Sequence, residues 1–151
     1  IGNKTLVEID QVLAPKVKGL NNLDQATTAL KLDYFMVLSS MAGAMGNPGQ
    51  FDYAAANGYM DAYIHDRARQ VKQQQRHGKS ISINWPLWES GGMQISEEDR
   101  QNMLHVMKIK PLPTAAGLTA LQQALASDYQ QLLVRMWLSS HGMHLQIQIL
   151  I

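Results

Sequence analysis

Cysteine is absent from the 151 residues, which excludes disulfides, thiolate metal sites and a cysteine nucleophile. No apolar run approaches the roughly 18–20 residues that span a bilayer, and no signal-peptide pattern precedes the first helix. An excess of one charge is missing too, since thirteen basic side chains stand against twelve acidic ones. Without a basic block, nucleic acid and anionic membrane surfaces are poor partners. His65, His77 and His105 have no carboxylate or histidine at ligand spacing, and His141 with His144 is only a pair, so no metal site is expected. These absences are compatible with a cytoplasmic protein.

What the chain has is the material of a core. Apolar residues make up 46% of it, enough for one domain at most, or a piece of one. Ile1-Gly2-Asn3-Lys4 leads abruptly into Thr5-Leu-Val-Glu8, a capping-box pattern that satisfies backbone donors at a helix start. An initiator methionine is missing, so the expectation is a segment of a longer chain.

Leu6, Ile9, Val12 and Leu13 have helical spacing, and Pro15 is expected to break the helix and start another, over 15 to about 29, with Val17, Leu20 and Leu23 inward. Tyr34-Phe-Met-Val-Leu38 is a continuous apolar run and reads as a strand buried on both faces. Gly43, Gly46, Pro48 and Gly49 then form a loop. A long helix is expected from about Asp52 to His77. Its apolar stripe holds Tyr59, Met60, Tyr63, Ile64, Ala68 and Val71, and Asp61, Asp66, Arg69 and Lys72 mark its wet side.

Ser80-Ile-Ser-Ile-Asn-Trp85 alternates and reads as a strand ended by Pro86. Ser96 caps a short helix carrying Met103, Leu104 and Met107, and 108–113 is a connector. Thr114 caps a helix with Leu118, Leu121 and Leu125 aligned, and Gln131-Leu-Leu-Val134 is the last strand that fits the pattern. Alternating helices and strands argue for an α/β fold with a parallel sheet. Residues 136–151 stay unassigned, although Leu145-Gln-Ile-Gln-Ile149 alternates like a strand.

Within this framework four side chains stand in a suggestive register. Ser40 lies thirteen residues before Tyr53, Asn57 four after it, and Lys16 twenty-four before Ser40. Ser40 follows a strand and Tyr53 opens the next helix, so both belong to the carboxyl rim where open parallel sheets place their sites. A ketone that accepts hydride becomes an alkoxide and needs a proton. A phenol, with a pKa near 10, gives one readily when a cation stabilises the phenolate. Lys16 is the candidate cation, Ser40 the donor to the carbonyl oxygen, and Asn57 the group that orders the lysine or a water. Alone, Tyr53 and Asn57 read equally well as a helix-start tyrosine and a surface amide. Ser39 reads as a cap or turn residue, Tyr59 and Tyr63 as core, Lys18 and Lys31 as solvated. Trp85 and Trp88 read as packing of the sheet edge and the substrate cleft.

The stretch Leu38-Ser-Ser-Met-Ala-Gly-Ala-Met-Gly-Asn-Pro-Gly-Gln-Phe-Asp-Tyr-Ala-Ala-Ala-Asn-Gly-Tyr-Met-Asp61 resembles the active-site segment of ketoreductase domains in modular polyketide synthases. Ala14-Pro-Lys-Val-Lys-Gly19 resembles their catalytic-lysine segment, and Ser82-Ile-Asn-Trp-Pro-Leu-Trp88 with Gly91-Gly-Met93 their nicotinamide-contacting stretch and lid. Simple members of the short-chain dehydrogenase/reductase superfamily carry Tyr-x-x-x-Lys; the polyketide branch has Asn there and takes lysine from an earlier helix. This chain shows the second arrangement. The resemblance covers roughly residues 4 to 134, as the C-terminal part of a catalytic domain ending near residue 135.

It implies a Rossmann-like fold and NADPH-dependent reduction of a β-ketoacyl thioester on an acyl carrier protein. Lys16, Ser40, Tyr53 and Asn57 inherit catalytic roles. Lys16, Tyr53, Pro86 and Leu87 would meet the cofactor, and Met45, Gln50, Trp88 and Met93 would border substrate and lid. Pro86-Leu87, where many relatives have Gly-Pro, points to the trans-acyltransferase branch. Met45 stands where one stereochemical type carries Trp, which leans toward the opposite type. The family's glycine-rich phosphate loop does not occur; Gly43-x-x-Gly46 follows the catalytic strand and is no dinucleotide fingerprint. The N-terminal half of the domain and other synthase domains are therefore expected partners. A catalytically silent scaffold, and a carrier-binding domain without reduction, are the competing functions.

Overall fold

A computed structural model describes residues 4–93, 95–106, 108–140 and 142–150. The expectations for Ile1–Asn3, for Met107 and for His141 fall outside the described residues. Among the described residues five helices and five strands follow one another. Among the described residues no helix is long and apolar enough to cross a membrane.

Helix α1 spans Leu6–Ala26 without interruption, so Pro15 lies inside it rather than dividing it. Proline removes one backbone donor from the helix. Here the loss is carried by a helix fixed at both ends. Thr5 and Glu8 form the expected capping box at its start, and Asp24 is held near its end. Leu20 faces inward, but Leu23 is exposed.

Strand β1, Tyr34–Ser40, leads into the one-turn helix α2, Met41–Met45, and then into α3, Phe51–Lys72. Helix α3 stops five residues before His77. Strand β2, Lys79–Trp85, lies parallel to β1 with Ser40 opposite Trp85. Helix α4 (Glu97–His105), the two-residue strand β3 (Ile109–Lys110) and helix α5 (Thr114–Ala126) come next. Pro113, not Thr114, occupies the N-cap of α5. Strand β4 runs from Gln131 to Ser139 and lies parallel to β2.

The tail is a strand as well. β5, Gly142–Ile149, pairs antiparallel with β4 along its whole length, and β3 pairs antiparallel with β4 near Trp137. The sheet thus has a parallel centre, β1-β2-β4, and antiparallel additions. With helices on both faces it is an α/β, Rossmann-like arrangement.

The two faces differ in chemistry. Toward α5 the sheet presents Ile81, Ile83, Trp85, Leu132 and Val134, packed against Leu112, Ala120 and Ala124. Each fully buried aliphatic side chain of this kind contributes about 1.5–3 kcal/mol. Gly117 lets the Trp88 ring lie on α5, since a Cβ there would collide with the indole. Toward α1 and α3 the apolar contacts are Leu20, Phe35, Val37, Met60 and Ile64. Strand β1 is buried on that face only. Tyr34 and Leu38, on the other, are 48% and 62% exposed.

The polar alternation of β2 does not mark a wet face. Ser80, Ser82 and Asn84 are all buried beneath α3, and Asp61, read as solvent-facing, is only 5% exposed. Each finds a hydrogen-bond partner there, as buried polar groups must. Arg67, 1% exposed, bonds Asp24 at 2.6 Å, Ser80 at 2.8 Å and the carbonyls of His77 and Gly78. Burial by itself would raise the Asp24 carboxyl. Arg67, Tyr63 and Arg76 outweigh it and hold the group below the ordinary carboxylate range. Burial and the bond to Asp24 push the Tyr63 phenol up to about 12.

Removing one partner of a buried pair strands the other's charge. Asp24→Asn should therefore cost about 3–5 kcal/mol in urea unfolding. Because the folded carboxyl titrates below the unfolded one, its contribution is present above about pH 4 and fades as pH falls through the lowered value. The variant should lose less stability than the wild type on acidification; parallel pH profiles would contradict this assignment.

Candidate active site

Helices α1 and α3 run side by side in the same direction, and a ladder of polar contacts shows their register. Lys4 bonds Asp52 at 2.9 Å, Lys16 bonds Asn57 at 3.1 Å, and Asn21 donates to the Tyr59 hydroxyl at 2.7 Å. Tyr63 and Arg67 close the ladder on Asp24. Tyr59 and Tyr63, expected as core, are half-buried members of this seam.

This register brings three of the four suspected residues together. The Lys16 ammonium accepts no bond but donates one to Asn57 Oδ1, and it lies 5.4 Å from the centre of the Tyr53 ring. Asn57 is fully buried, and its Nδ2 donates to the Tyr53 carbonyl at 2.7 Å. The amide is therefore oriented from below, with its oxygen turned to the lysine. Burial lowers the Lys16 ammonium from its ordinary range, and the Asp61 carboxylate acts in the opposite direction.

Ser40 ends β1 and caps α2, its Oγ accepting from the Ala42 amide at 3.2 Å. The capping role expected of Ser39 thus belongs to Ser40. Ser39 is buried instead, donating to the Asn57 carbonyl at 3.3 Å and accepting from Asn84 at 3.2 Å. A serine hydroxyl that accepts one bond still has its hydrogen to give. Ser40 stands at the carboxyl rim, where Tyr53 occupies the first turn of α3.

The residues expected to border cofactor and substrate are more dispersed. Pro86 is buried and Leu87 half-buried directly beyond the Ser40–Trp85 pair. Bonds from Leu112 N to Leu87 O (2.7 Å) and from Glu89 N to Leu112 O (3.0 Å) fix this segment. An apolar shelf just past the strand end that carries Ser40 fits the reactive ring of a nicotinamide. Met45 and Met93 are exposed, and Gln50 accepts from Asn47 at the entrance to α3. Trp88 is packed edge-on against Trp85, 5.0 Å between centroids, and over Gly117. Its contacts are with the α5-side core, and Trp85 ends a central strand rather than a sheet edge.

A set of residues passed over as sequence underlies the site. Asp61 accepts from Ser82 at 2.5 Å and from Asn84 at 2.8 Å, and Asn84 also donates to the Ser40 carbonyl at 2.8 Å. Gln131 and His65 extend this chain of bonds outward from Asn84. The available signal was spacing, because Asp61 lies four residues after Asn57, on the same helical face.

Gly43 lets α2 approach this layer. A Cβ there would stand 2.8 Å from Asp61 Oδ2 and 2.9 Å from Asn57 Cβ, whereas one at Gly58 would meet nothing closer than 3.5 Å. Gly43→Ala should cost about 1–3 kcal/mol in denaturant unfolding, while Gly58→Ala, inside a helix, should be neutral or stabilising by up to about 1 kcal/mol. Equal effects of the two substitutions would contradict the close approach.

The chain is similar to known proteins. The family model described as "KR domain" matches residues 1–90. The polyketide synthase PksN of Bacillus subtilis (strain 168) is 46% identical over 132 residues, 87% of this chain and 2% of that protein. ThaG, a polyketide synthase of Burkholderia thailandensis, is 42% identical over 120 residues, 80% of this chain and 2% of its own length. Among solved structures, a ketoreductase domain from the bacillaene assembly line superposes with a TM-score of 0.85 at 45% identity, over 88% of this chain and 32% of that one. An A-type ketoreductase from a modular polyketide synthase gives 0.76 at 28% identity, over 88% and 26%. The chain spans a small fraction of these curated relatives and about a third of the bacillaene domain. It belongs to the ketoreductase-domain family of polyketide synthases, within the short-chain dehydrogenase/reductase superfamily.

Proposed function

We propose that this chain carries the proton-donating half of an NADPH-dependent ketoreductase, reducing a β-ketoacyl thioester on an acyl carrier protein to the β-hydroxyacyl thioester. The observation that supports it most strongly is the Lys16–Asn57–Tyr53 group at the carboxyl rim of β1 and β2. Hydride for the ketone carbon would come from a nicotinamide held against Pro86 and Leu87. Ser40 donates a hydrogen bond to the ketone oxygen, drawing charge toward it as the new C–H bond forms. Tyr53 gives its phenolic proton to the resulting alkoxide, and Lys16 stabilises the phenolate left behind. Asn57 keeps the ammonium in place. Pro86 and Leu87 back the nicotinamide, and Met45, Gln50 and Met93 border the acyl chain.

The dinucleotide phosphates have no such counterpart among the described residues. Among the described residues no strand pairs with the outer edge of β1, which carries the exposed side chains of Tyr34 and Leu38. That surface supports a nucleotide-binding half that continues the sheet beyond β1, within a multidomain synthase.

Tyr53→Phe in the complete ketoreductase domain tests this reading. NADPH consumption with acetoacetyl-N-acetylcysteamine thioester should fall by about 10²-fold or more, with the melting temperature and NADPH affinity retained. Turnover at the wild-type rate would refute the proposed proton donor.

A further inference from the structure

Asp61 is a buried carboxylate whose direct partners are neutral. Ser82 and Asn84 donate to its two oxygens, and no cation lies within ion-pair distance of it among the described residues. Burying an ionised group in this way is costly unless a charge of opposite sign compensates it. One turn earlier on the same face of α3 stands Asn57, and on Asn57 rests the Lys16 ammonium. Arg67, the other buried cation of α3, is committed to Asp24 and Ser80.

We propose that Asp61 is a positioning residue for the proton-donating group: through Asn84 it fixes the backbone of Ser40 and Asn57, and its carboxylate, one turn beyond the Asn57 amide on which Lys16 rests, is the counter-charge to that ammonium. The mechanical half of the role follows the hydrogen bonds. With Asp61 Oδ2 accepting one amide hydrogen, Asn84 is oriented to donate the other to the Ser40 carbonyl at 2.8 Å, shared with Ser39 Oγ at 3.2 Å, and Ser39 in turn holds the Asn57 carbonyl. Gly43 leaves the carboxylate its place beside α2, since a Cβ there would stand 2.8 Å from Asp61 Oδ2.

The electrostatic half follows from the surroundings of Lys16. On α3 the Tyr53 ring and the Asn57 amide lie against it and Asp61 stands one turn beyond Asn57; the remaining acid of that end, Asp52, is held by Lys4. The β1 and β2 groups beneath α3 at this level, Ser39, Ser40, Ser82 and Asn84, are neutral. On α1 itself Asp10 and Lys18 face each other on the exposed side. Asp61 is thus the carboxylate left to oppose the burial that depresses the lysine.

This inference rests on the reductase reading, and its test separates the two. In the complete domain, kcat/KM for the same thioester is followed against pH for wild type, Asp61→Asn and Ser82→Ala. The alkaline limb of Asp61→Asn should move down by about one pH unit, whereas Ser82→Ala, which keeps the carboxylate, should retain the wild-type limb. An active, folded Asp61→Asn with an unmoved limb overturns the role of Asp61. A wild-type domain without turnover would instead overturn the reductase reading. Should Asp61→Asn not fold, wild-type protein labelled with 13C at aspartate Cγ gives the answer. The Asp61 signal should shift in step with the titration of Lys16, and a signal flat across that range overturns the proposal.

Discussion

The buried ion pair between Asp24 and Arg67 is the constraint on which the site depends. It joins the far end of α1 to α3, and every contact nearer the rim follows from the register it sets: Asn21 to Tyr59, Lys16 to Asn57, Lys4 to Asp52. A slip of one helical turn would carry Lys16 about 5–6 Å along α3 and away from Asn57. Hydrophobic contacts alone tolerate such slips better, because they are non-directional. A guanidinium that must also satisfy Ser80 and two carbonyls while lying over the Phe35 ring does not. Stability here is secondary to position, as expected when burying charge returns little net energy.

Beneath the seam, the polar face of β2 links this scaffold to the chemistry. Ser80 meets the register pair, while Ser82 and Asn84 meet Asp61 and the backbone of Ser40. One strand therefore touches both the structural end and the reactive end of α3. The opposite face of the same strand is apolar from Ile81 to Trp85 and, with Lys79 donating to carbonyls at the end of α5, carries the contacts with that helix.

Much of this was legible in the sequence where local pattern decides local structure. The apolar run of β1, the strand ending at Trp85 and the Ser40–Tyr53–Asn57 spacing are short-range signals. Lys16 is 41 residues from Asn57, and only family resemblance, not periodicity, could bring it there. Pro15 suggested a break because proline removes a donor, but fixing both ends of α1 keeps the helix whole. Asp61 was misleading because polarity normally marks solvent, whereas here Ser82 and Asn84 satisfy it inside. The alternation of β5 was visible but had no assignable partner, since β4 had been read as ending at Val134 rather than Ser139.

The central claim is that this register makes Lys16 and Tyr53 a single proton-donating unit. A double-mutant cycle on turnover, with Lys16→Met, Tyr53→Phe and the combination in the complete domain, measures it directly. The account predicts strong non-additivity, with the double variant no slower than Tyr53→Phe alone. Losses that simply multiply would show that the two side chains act independently, and would contradict it.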